Sequence, residues 1–339
     1  MAERADLIPS REQIEAAATA LKGVVVETPL IAAEAIAREV GAESVHLKLE
    51  SLQKTGSFKF RGAYWRCARL TAEERAAGVV AYSSGNFAQG LAAAAQVLGV
   101  PATIVMPIDA PEAKRRKTEA FGATVVQTDH GDRSREEVAS EKARALAAER
   151  GMTLLHPFDD PAVIAGHASV AREIVSALAA AGSGPADTVL CCVGGGGLLA
   201  GVALGLKAWS PETELIPVEP QGYDSFGQSL EQGGVTRLTG GGATICDALQ
   251  ATAPGAAPFA CAVAAGVTRH LVVTDAIVRK AMRLAFESCK IVLEPSGAVG
   301  LAGLLSRPEL FAGRRAVVMA TGGNIELSRF GTIAGDEAA

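Results

Sequence analysis

Short apolar runs alternate along this chain with longer segments that are amphipathic or rich in alanine. Residues 79–82 and 103–106 are mostly apolar runs of strand length, and residues 86–98 and 112–121 have the length of helices. Continuous apolar strands are typical of parallel sheets that are buried on both faces. The alternation therefore predicts an α/β fold of βαβ units, with helices on both faces of parallel sheets.

The same alternation continues towards the C-terminus. Further strands are predicted at residues 124–127, 153–155, 188–193, 214–218 and 316–319, and further helices at residues 133–150, 162–181, 198–209 and 275–290. Residues 188–206 carry no charge and have the length of a membrane span, but a run of glycines at 194–197 divides them into strand, loop and helix, so we expect no membrane segment. Residues 232–258, rich in Gly, Thr and Pro, are predicted to form a long irregular connection.

The composition is that of a globular protein. The 339 residues are enough for two domains, and 20% are charged and 49% hydrophobic. The net charge is -5 and no basic cluster occurs, which argues against a nucleic-acid partner. The 6 cysteines form no CxxC pair, and none lies near a His at zinc-finger spacing. Together with a charged N-terminus that lacks an apolar signal core, they predict reduced, buried thiols in a cytoplasmic protein.

One lysine stands between two aromatic residues in the stretch SFKFRGA, residues 57–63. The phenylalanines on either side of Lys59 are expected to remove water from its amine and to lower its pKa. A neutral lysine amine is the nucleophile that forms a Schiff base with a carbonyl cofactor. The stretch by itself also fits a surface lysine beside two core phenylalanines, so the other motifs decide between the two interpretations.

Two loops connect a predicted strand to a predicted helix. SSGNFAQG at residues 83–90 opens a helix whose free N–H groups and positive dipole end suit a carboxylate, although Ser and Asn are also ordinary helix caps. The glycines at 194–197 allow backbone N–H groups to surround a phosphate, with a flexible turn as the alternative. Neither GxGxxG nor a following Lys-Ser/Thr pair is present there, which favours a phosphate group outside a nucleotide.

Two shorter motifs complete the set. The hydroxyl of Thr321 in TGGN directly follows the last predicted strand and is placed to hydrogen-bond a ring nitrogen. Glu294 in EPSGA precedes a helix, where it can hold a loop or contact a cofactor. A Schiff-base lysine, a carboxylate site, a monophosphate site and a ring-nitrogen hydroxyl together describe pyridoxal 5′-phosphate bound with an amino acid.

With these strings in this order, the chain resembles the fold type II pyridoxal-phosphate enzymes, the tryptophan synthase β family, and within it the branch of threonine/serine dehydratases and serine racemases. The strings are SFKFRGA, SSGN followed by AQG, GGGGLLAG, VEP, EPSGA and GGN, between about residue 28 and residue 324. The resemblance implies a large cofactor-binding domain, residues 1–77 and 158–339, and a small mobile domain, residues 78–157. We also expect a homodimer that acts on a small-molecule amino acid substrate.

The resemblance further implies a role for each motif. Lys59 binds the cofactor as a Schiff base and moves the Cα proton of the substrate, and Ser84 is placed to protonate the opposite face of Cα, as in racemases. The implied cofactor-binding residues are Phe58, Lys59, Asn86, Gly194, Gly195, Gly196, Gly197, Glu294 and Thr321, with Asn86 on the phenolic oxygen, the glycines on the phosphate and Thr321 on the ring nitrogen. The implied substrate-binding residues are Ser83, Ser84, Gly85, Asn86, Phe87 and Arg135.

Two departures from the branch concern specificity and metal. Phe87 stands where a His is usual, which makes the pocket more apolar and favours an apolar substituent on the substrate Cβ. Glu219 of VEP matches a residue that helps to bind a divalent cation in related enzymes, but Ser225 stands at the position of the usual partner carboxylate, with Asp224 adjacent. A Mg²⁺ or Mn²⁺ site is therefore expected to be weakened or absent.

The leading interpretation is a pyridoxal-phosphate-dependent ammonia-lyase (dehydratase) that converts a β-hydroxy-α-amino acid such as L-threonine or L-serine to a 2-oxo acid and ammonia. Two enzymatic alternatives stay open: a dehydratase for a bulkier substrate, 3-phenylserine or 3-hydroxyaspartate, and a serine racemase. A non-catalytic protein that binds pyridoxal phosphate or an amino acid is a third alternative. The presence of Lys59 and of the glycine loop argues against it.

Overall fold

A computed structural model describes residues 7–335 as two sheets of 6 and 4 strands with helices packed around them. The strands are β1 (Leu30–Ala32), β2 (Ser44–Leu49), β3 (Val79–Tyr82), β4 (Ala102–Pro107), β5 (Thr124–Thr128), β6 (Thr153–Leu154), β7 (Thr188–Cys192), β8 (Glu214–Pro220), β9 (Leu271–Val273) and β10 (Arg315–Ala320). The α-helices are α1 (Arg11–Leu21), α2 (Glu34–Val40), α3 (Lys59–Ala68), α4 (Ala72–Ala77), α5 (Asn86–Leu98), α6 (Glu112–Ala120), α7 (Arg135–Arg150), α8 (Pro161–Ala180), α9 (Gly197–Trp209), α10 (Ser225–Gln232), α11 (Ala256–Ala265), α12 (Asp275–Cys289), α13 (Pro295–Ser306) and α14 (Leu327–Gly335). Single turns of 3-10 helix lie at Glu50–Leu52, Asp247–Leu249 and Pro308–Leu310.

The two sheets differ in size and lie in different parts of the chain. The larger sheet has the order β1-β2-β10-β7-β8-β9, and only its edge pair β1–β2 is antiparallel. The smaller sheet has the order β5-β4-β3-β6 and is parallel throughout. We call residues 78–157, which contain the smaller sheet, the small lobe, and the other described residues the large lobe. The α/β fold class is confirmed, and the predicted domain boundaries stay a prediction.

Every strand predicted from the sequence is present, with ends that differ by no more than 2 residues. The pattern misses β1 and β9, which have 3 residues each, and β2, which contains the polar residue Lys48. Lys48 is nevertheless buried, because its amine pairs with Glu173. The irregular connection predicted at 232–258 is confirmed for most of its length, but it is wrong at its end, where α11 begins at Ala256.

Helix α8 has the length and apolarity of a membrane span, as judged over the described residues. Its length is 20 residues, and 61% of its most apolar window is buried inside the protein. Such burial is what an apolar helix at the centre of a folded protein requires. The uncharged run at 188–206 forms β7, a loop and most of α9, as the sequence pattern predicts.

Helix α3 is held between α5 and α8 by glycines that allow backbone contact. A Cβ on Gly90 of α5 would lie 3.0 Å from the carbonyl carbon of Lys59 and 3.1 Å from the nitrogen of Phe60. A Cβ on Gly166 of α8 would lie 2.8 Å from the carbonyl oxygen of Arg61. Both helices therefore pack directly on the first turn of α3, which fixes the position of Lys59.

A buried network of charges is the second anchor of α3. Arg61 is wholly buried and donates to Glu50 at 2.7 Å from both Nε and Nη2, and to Glu173 at 2.5 Å from Nη1. Lys48 pairs with the same Glu173, and the hydroxyl of Thr28 donates to Glu50. Burial disfavours the charged form of Glu50, yet Arg61 holds the pKa of this carboxyl below its ordinary value. The network therefore ties α3 to α8 and to the end of β2.

We expect Arg61→Leu to lower the free energy of unfolding by about 3–5 kcal/mol, because it leaves the carboxylates of Glu50 and Glu173 without their shared cation. Denaturant unfolding followed by circular dichroism measures the change. Arg11→Leu is the matched control, since it removes only an exposed pair with Glu15 and is expected to cost no more than about 1 kcal/mol. Equal losses in the two variants would contradict the anchoring role of the network.

Candidate active site

Lys59 is the first residue of α3, and its amine lies in the cleft between the lobes. The amine donates to the carbonyl oxygen of Pro157 at 2.9 Å. It lies 5.0 Å from the ring centre of Phe58 and 5.8 Å from that of Phe87. These neighbours exclude water, and desolvation lowers the pKa of the amine from 10.5 to about 8. A fraction of the amine is therefore already the free base at neutral pH.

A hydrogen-bond network links the start of α5 in the small lobe to the large lobe. Asn86 donates from Nδ2 to Glu294 at 2.6 Å and accepts on Oδ1 from Asn324 at 2.8 Å. Glu294 is buried, and burial raises the pKa of its carboxyl to about 7. Gly322 leaves room for this carboxylate, because a Cβ at that position would overlap it. The motifs SSGN, EPSGA and TGGN therefore meet at one point in the cleft.

Helices α5 and α9 begin without a side-chain cap, as α3 and α13 of the same site also do. Helix α5 follows Gly85 and α9 follows Gly196, and neither N-terminus has a side-chain capping hydrogen bond. By contrast, α1 and α7 are capped by Ser10 and Ser134. The first N–H groups of an α-helix have no partner within the helix, so both uncapped starts present free donors at a positive dipole end. Each of them is suited to bind an anion.

The glycine loop before α9 has no room for side chains. A Cβ on Gly195 would collide with the ring of Phe158, and one on Gly197 would lie 2.9 Å from Cβ of the same residue. Gly196 has a φ of 92°, in the left-handed region that favours glycine. The loop is therefore a cradle of backbone N–H groups, in which a phosphate fits.

Thr321 follows β10 and contacts both the lysine segment and β7. Its carbonyl oxygen accepts from the backbone N–H of Phe58 at 3.2 Å, and its hydroxyl lies 3.3 Å from Sγ of Cys192. The side chain is buried. An amine with a lowered pKa, an anion cradle and a buried hydroxyl are thus grouped in one cleft, and these residues fit pyridoxal phosphate.

The residues expected to bind substrate fall into two places. Ser83, Ser84 and Gly85 form the half-buried loop before α5, where the hydroxyl of Ser83 accepts from the N–H of Gly85 at 3.2 Å. Arg135 is the first residue of α7, is half exposed, and pairs through Nε with Asp109 at 3.1 Å. No motif in the sequence indicates Asp109, because helix α6 and strand β5 separate it from Arg135.

Glu219, the expected metal ligand, caps a helix. Its carboxylate oxygens accept the N–H groups of Phe226 and Gly227 at 2.8 Å each, in the first turn of α10. Burial raises the pKa of this carboxyl to about 8. Among residues 7–335, no group of three or more His, Cys, Asp or Glu side chains is arranged to hold a metal ion. The expected weakening or absence of a cation site stays a prediction.

Three further contacts of the site were not predicted. Pro157 accepts from Lys59 through its backbone carbonyl, Phe158 covers the glycine loop, and Cys192 touches Thr321. A backbone carbonyl leaves no signal in a sequence, and one Phe among several carries none either. The only available signal for Cys192 is its position, two residues before the glycine run.

Comparisons with known proteins agree with this geometry. The sequence profile of the family described as "Pyridoxal-phosphate dependent enzyme" matches residues 21–322. The L-threo-3-hydroxyaspartate ammonia-lyase of Pseudomonas sp is 39% identical over 96% of this chain and 98% of its own length. The serine racemase of Schizosaccharomyces pombe is 33% identical over 96% of this chain and 97% of its own length. The processed form of threonine deaminase isoform 2 from Solanum lycopersicum has a TM-score of 0.89 and 31% identity, covering 98% of this chain and 95% of that one. The resemblance stated from the motifs is confirmed.

We expect Lys59 to react with an aldehyde faster than the other lysines near pH 8, because its lowered pKa leaves more of the amine as free base. Treatment of cofactor-free protein with pyridoxal phosphate, borohydride reduction and peptide mapping locates the label. The rate should rise as the pH rises through about 8, instead of through the ordinary value of 10.5. Lys117, exposed on α6, is the reference lysine. A label that accumulates first on any other lysine would disprove the assignment.

Proposed function

Because this chain belongs to the pyridoxal-phosphate-dependent enzymes and is a lyase of that family, we propose that it is an ammonia-lyase for a 3-hydroxy amino acid with a second carboxylate, such as L-threo-3-hydroxyaspartate. The main observation in support of this activity is that the amine of Lys59 has a pKa of about 8 and lies in a cleft where the uncapped helices α5 and α9 begin. A base in a cleft that also contains two candidate anion sites supports this activity.

The chain supplies the base and the binding groups of the reaction. When bound, pyridoxal phosphate withdraws electrons from the substrate Cα and makes its proton acidic. We assign to Lys59 both the covalent attachment of the cofactor and the removal of the Cα proton. Loss of this proton and of the β-hydroxyl removes one water molecule from the substrate. Addition of water in place of the amino group then yields a 2-oxo acid and ammonia.

We take the remaining roles from the family resemblance, and the positions of the groups in the cleft support them. We assign the glycine loop and the start of α9 to the cofactor phosphate, Thr321 to the ring nitrogen and Asn86 to the phenolic oxygen. The bond from Asn86 to Glu294 orients this amide, and Phe58 lines the ring. We assign the loop of Ser83 and the uncapped start of α5 to the α-carboxylate of the substrate.

Arg135 is the group that favours a second carboxylate. Its pair with Asp109 is made through Nε, which leaves the outer Nη groups as donors. The residue follows β5, and the loop of Ser83 follows β3, so both lie at the C-terminal edge of the same parallel sheet. The start of α5 is enough to bind the α-carboxylate of a substrate, whereas binding of a second carboxylate needs a further cation, which Arg135 provides. The similarity to a 3-hydroxyaspartate ammonia-lyase supports the same choice.

L-Threonine or L-serine is the second candidate, and Phe87 favours it. The ring of Phe87 is buried and faces the amine of Lys59 at 5.8 Å, so this side of the reacting carbon is apolar. An apolar wall suits a hydrogen or methyl substituent on Cβ better than a charged one. The same wall suits the ring of 3-phenylserine.

A panel of 3-hydroxy amino acids, assayed for 2-oxo acid and ammonia, tests the proposal. We expect L-threo-3-hydroxyaspartate to give the highest kcat/KM and Lys59→Ala to abolish turnover. Arg135→Met is expected to raise KM for this substrate about tenfold, as the loss of one charge-assisted contact, and to change KM for L-threonine little. Arg133→Met is the matched control, because it removes a neighbouring exposed arginine that pairs with Glu141.

Each other outcome selects one alternative. A higher kcat/KM for L-threonine or L-serine would put the second candidate first. Chiral analysis of the residual substrate tests the racemase alternative. If D-amino acid forms faster than the 2-oxo acid in the wild type, and does not form in Ser84→Ala, the racemase interpretation replaces the lyase interpretation. A protein that carries the cofactor on Lys59 but turns over no member of the panel would be a binding protein.

We also propose that the small lobe closes over the substrate. Several contacts join the lobes, among them the bond from Asn86 to Glu294 and an ion pair of 3.2 Å between Lys114 of α6 and Asp247. Asp247 also pairs at 3.2 Å with Arg329 of α14, so one carboxylate holds a cation from each lobe. These groups are partly exposed at the mouth of the cleft, and closure of the mouth expels water from the amine.

We expect Asp247→Asn and Lys114→Met each to raise KM by up to about fivefold, the range of a partly exposed ion pair. The double variant should be no worse than Asp247→Asn alone, because Asp247→Asn already removes the contact with Lys114. Steady-state kinetics at low and at high salt measure KM. Salt screens the ion pair, so high salt should raise KM of the wild type towards that of the variants and leave KM of the variants unchanged. Lys117→Met, on the same helix, is the control. Additive effects of the two substitutions would contradict a shared contact.

A homodimeric state and a cytoplasmic location are further proposals. Exposed apolar side chains at the end of α12 and the start of α14, Phe286 and Leu327, support an interface at this face. All 6 cysteines of the chain are free, which supports a reducing compartment. Sedimentation velocity gives the mass in solution, and cell fractionation gives the compartment. A monomer, or a protein outside the cytoplasmic fraction, would disprove the respective proposal.

A further inference from the structure

Cys192 ends β7 inside the candidate cofactor cleft, and no motif gives it a role. Its Sγ lies 3.3 Å from Oγ1 of Thr321, and the two side chains are 6% and 4% exposed. The preceding residue, Cys191, lies on the opposite face of the strand and packs in a different hydrophobic cluster. Of the two adjacent cysteines, only Cys192 therefore touches a group assigned to the cofactor.

The contact matters because a hydroxyl has one proton to donate and two lone pairs that accept. Thr321 donates to a ring nitrogen only when its proton is not given to the sulfur. Burial raises the pKa of the Cys192 thiol to about 11, against smaller opposite effects of Thr321 and Lys59. The sulfur therefore keeps its proton at neutral pH and has an S–H group to donate.

The pair has two possible arrangements. If S–H donates to Oγ1, the hydroxyl proton is free for a ring nitrogen that carries no proton. If the hydroxyl instead donates to sulfur, Oγ1 only accepts, and this suits a protonated nitrogen. Sulfur is a weak acceptor, so the proton of Thr321 is better used on a nitrogen. Lys59 and Glu294 act on this thiol from across the cleft, and the thiols of Cys191 and Cys246 also interact with it.

We infer that Cys192 is a positioning residue: its S–H donates to Oγ1 of Thr321 and directs the hydroxyl proton towards the ring nitrogen of pyridoxal phosphate. The inference rests on the proposed function, because it needs the cofactor ring beside Thr321. A ring nitrogen that accepts a hydrogen bond stays unprotonated and withdraws electrons less strongly. Weaker withdrawal disfavours transamination more than loss of a β-hydroxyl, so Cys192 acts on the choice of reaction through Thr321.

The test uses the holoenzyme loaded with pyridoxal phosphate that carries ¹⁵N in the ring. Cys192→Val fills the space without a donor, Cys192→Ser keeps a donor, and Cys191→Val is the matched control on the same strand. We expect the ¹⁵N resonance of wild type, of Cys192→Ser and of Cys191→Val to be that of an unprotonated ring. In Cys192→Val no S–H group fixes the orientation of the Thr321 hydroxyl, so its proton points to the ring nitrogen for a smaller share of the time, and the resonance should move towards the protonated position. Equilibrium dialysis should show cofactor binding about three- to tenfold weaker in this variant, the range for one lost hydrogen bond.

Two results would overturn the inference: a ¹⁵N resonance in Cys192→Val that equals wild type, or an equal displacement in Cys191→Val, which would mean that packing alone is disturbed. A protonated ring in the wild type would overturn it as well. Should Cys192→Val not fold, Cys192→Ala provides the same comparison. The substrate panel is read separately from the resonance, so failure of the proposed substrate and failure of this inference are distinguishable.

Discussion

The ion pairs of Arg61 hold helix α3, and the first residue of that helix is Lys59, to which we assign the chemistry. Arg61 follows Lys59 by two residues, so a displacement of its guanidinium would carry the amine with it. Buried charges are a costly way to hold a helix, since apolar side chains of similar volume often stabilise a fold as well or better. The several directed bonds of one guanidinium fix the rotation of α3 as well as its position, and a base that must face a carbon atom needs both.

The second requirement of this lysine is met by the two lobes together. Phe58 belongs to the large lobe, whereas Phe87 and the carbonyl of Pro157 belong to the small lobe, and all three surround the amine. The pKa of about 8 is therefore a property of the arrangement in which both lobes surround the amine. If the lobes separate, water reaches the amine and its charged form is favoured again. The lobe closure that we propose would thus change the charge of the Lys59 amine as well as its access to water.

The features that could be predicted from the sequence are those carried by neighbouring residues. A buried strand, a glycine loop or a lysine between two phenylalanines is a local pattern, and each was located to within a few residues. Lys48 shows the limit, because its buried amine depends on Glu173 in a distant helix, and β2 was missed with it. The pairing of Asn86 with Glu294 crosses 208 positions of the chain. Asp109, the partner of Arg135, carries no motif, so only the folded structure could reveal it.

The two uncapped helices have a consequence for the lifetime of the protein. A glycine at the N-cap, in place of Ser, Thr, Asn or Asp, costs a helix only about a few tenths of a kcal/mol, and α5 and α9 begin after Gly85 and Gly196 without a side-chain cap. An anion that binds reversibly at such a helix start accepts hydrogen bonds from the free N–H groups, as a capping side chain does. Its binding free energy is added to the free energy of unfolding of the chain. The folded fraction, and with it the resistance to proteolysis, then rises with the concentration of cofactor. Supply of the cofactor accordingly sets how long the polypeptide survives in the cell as well as how fast it works.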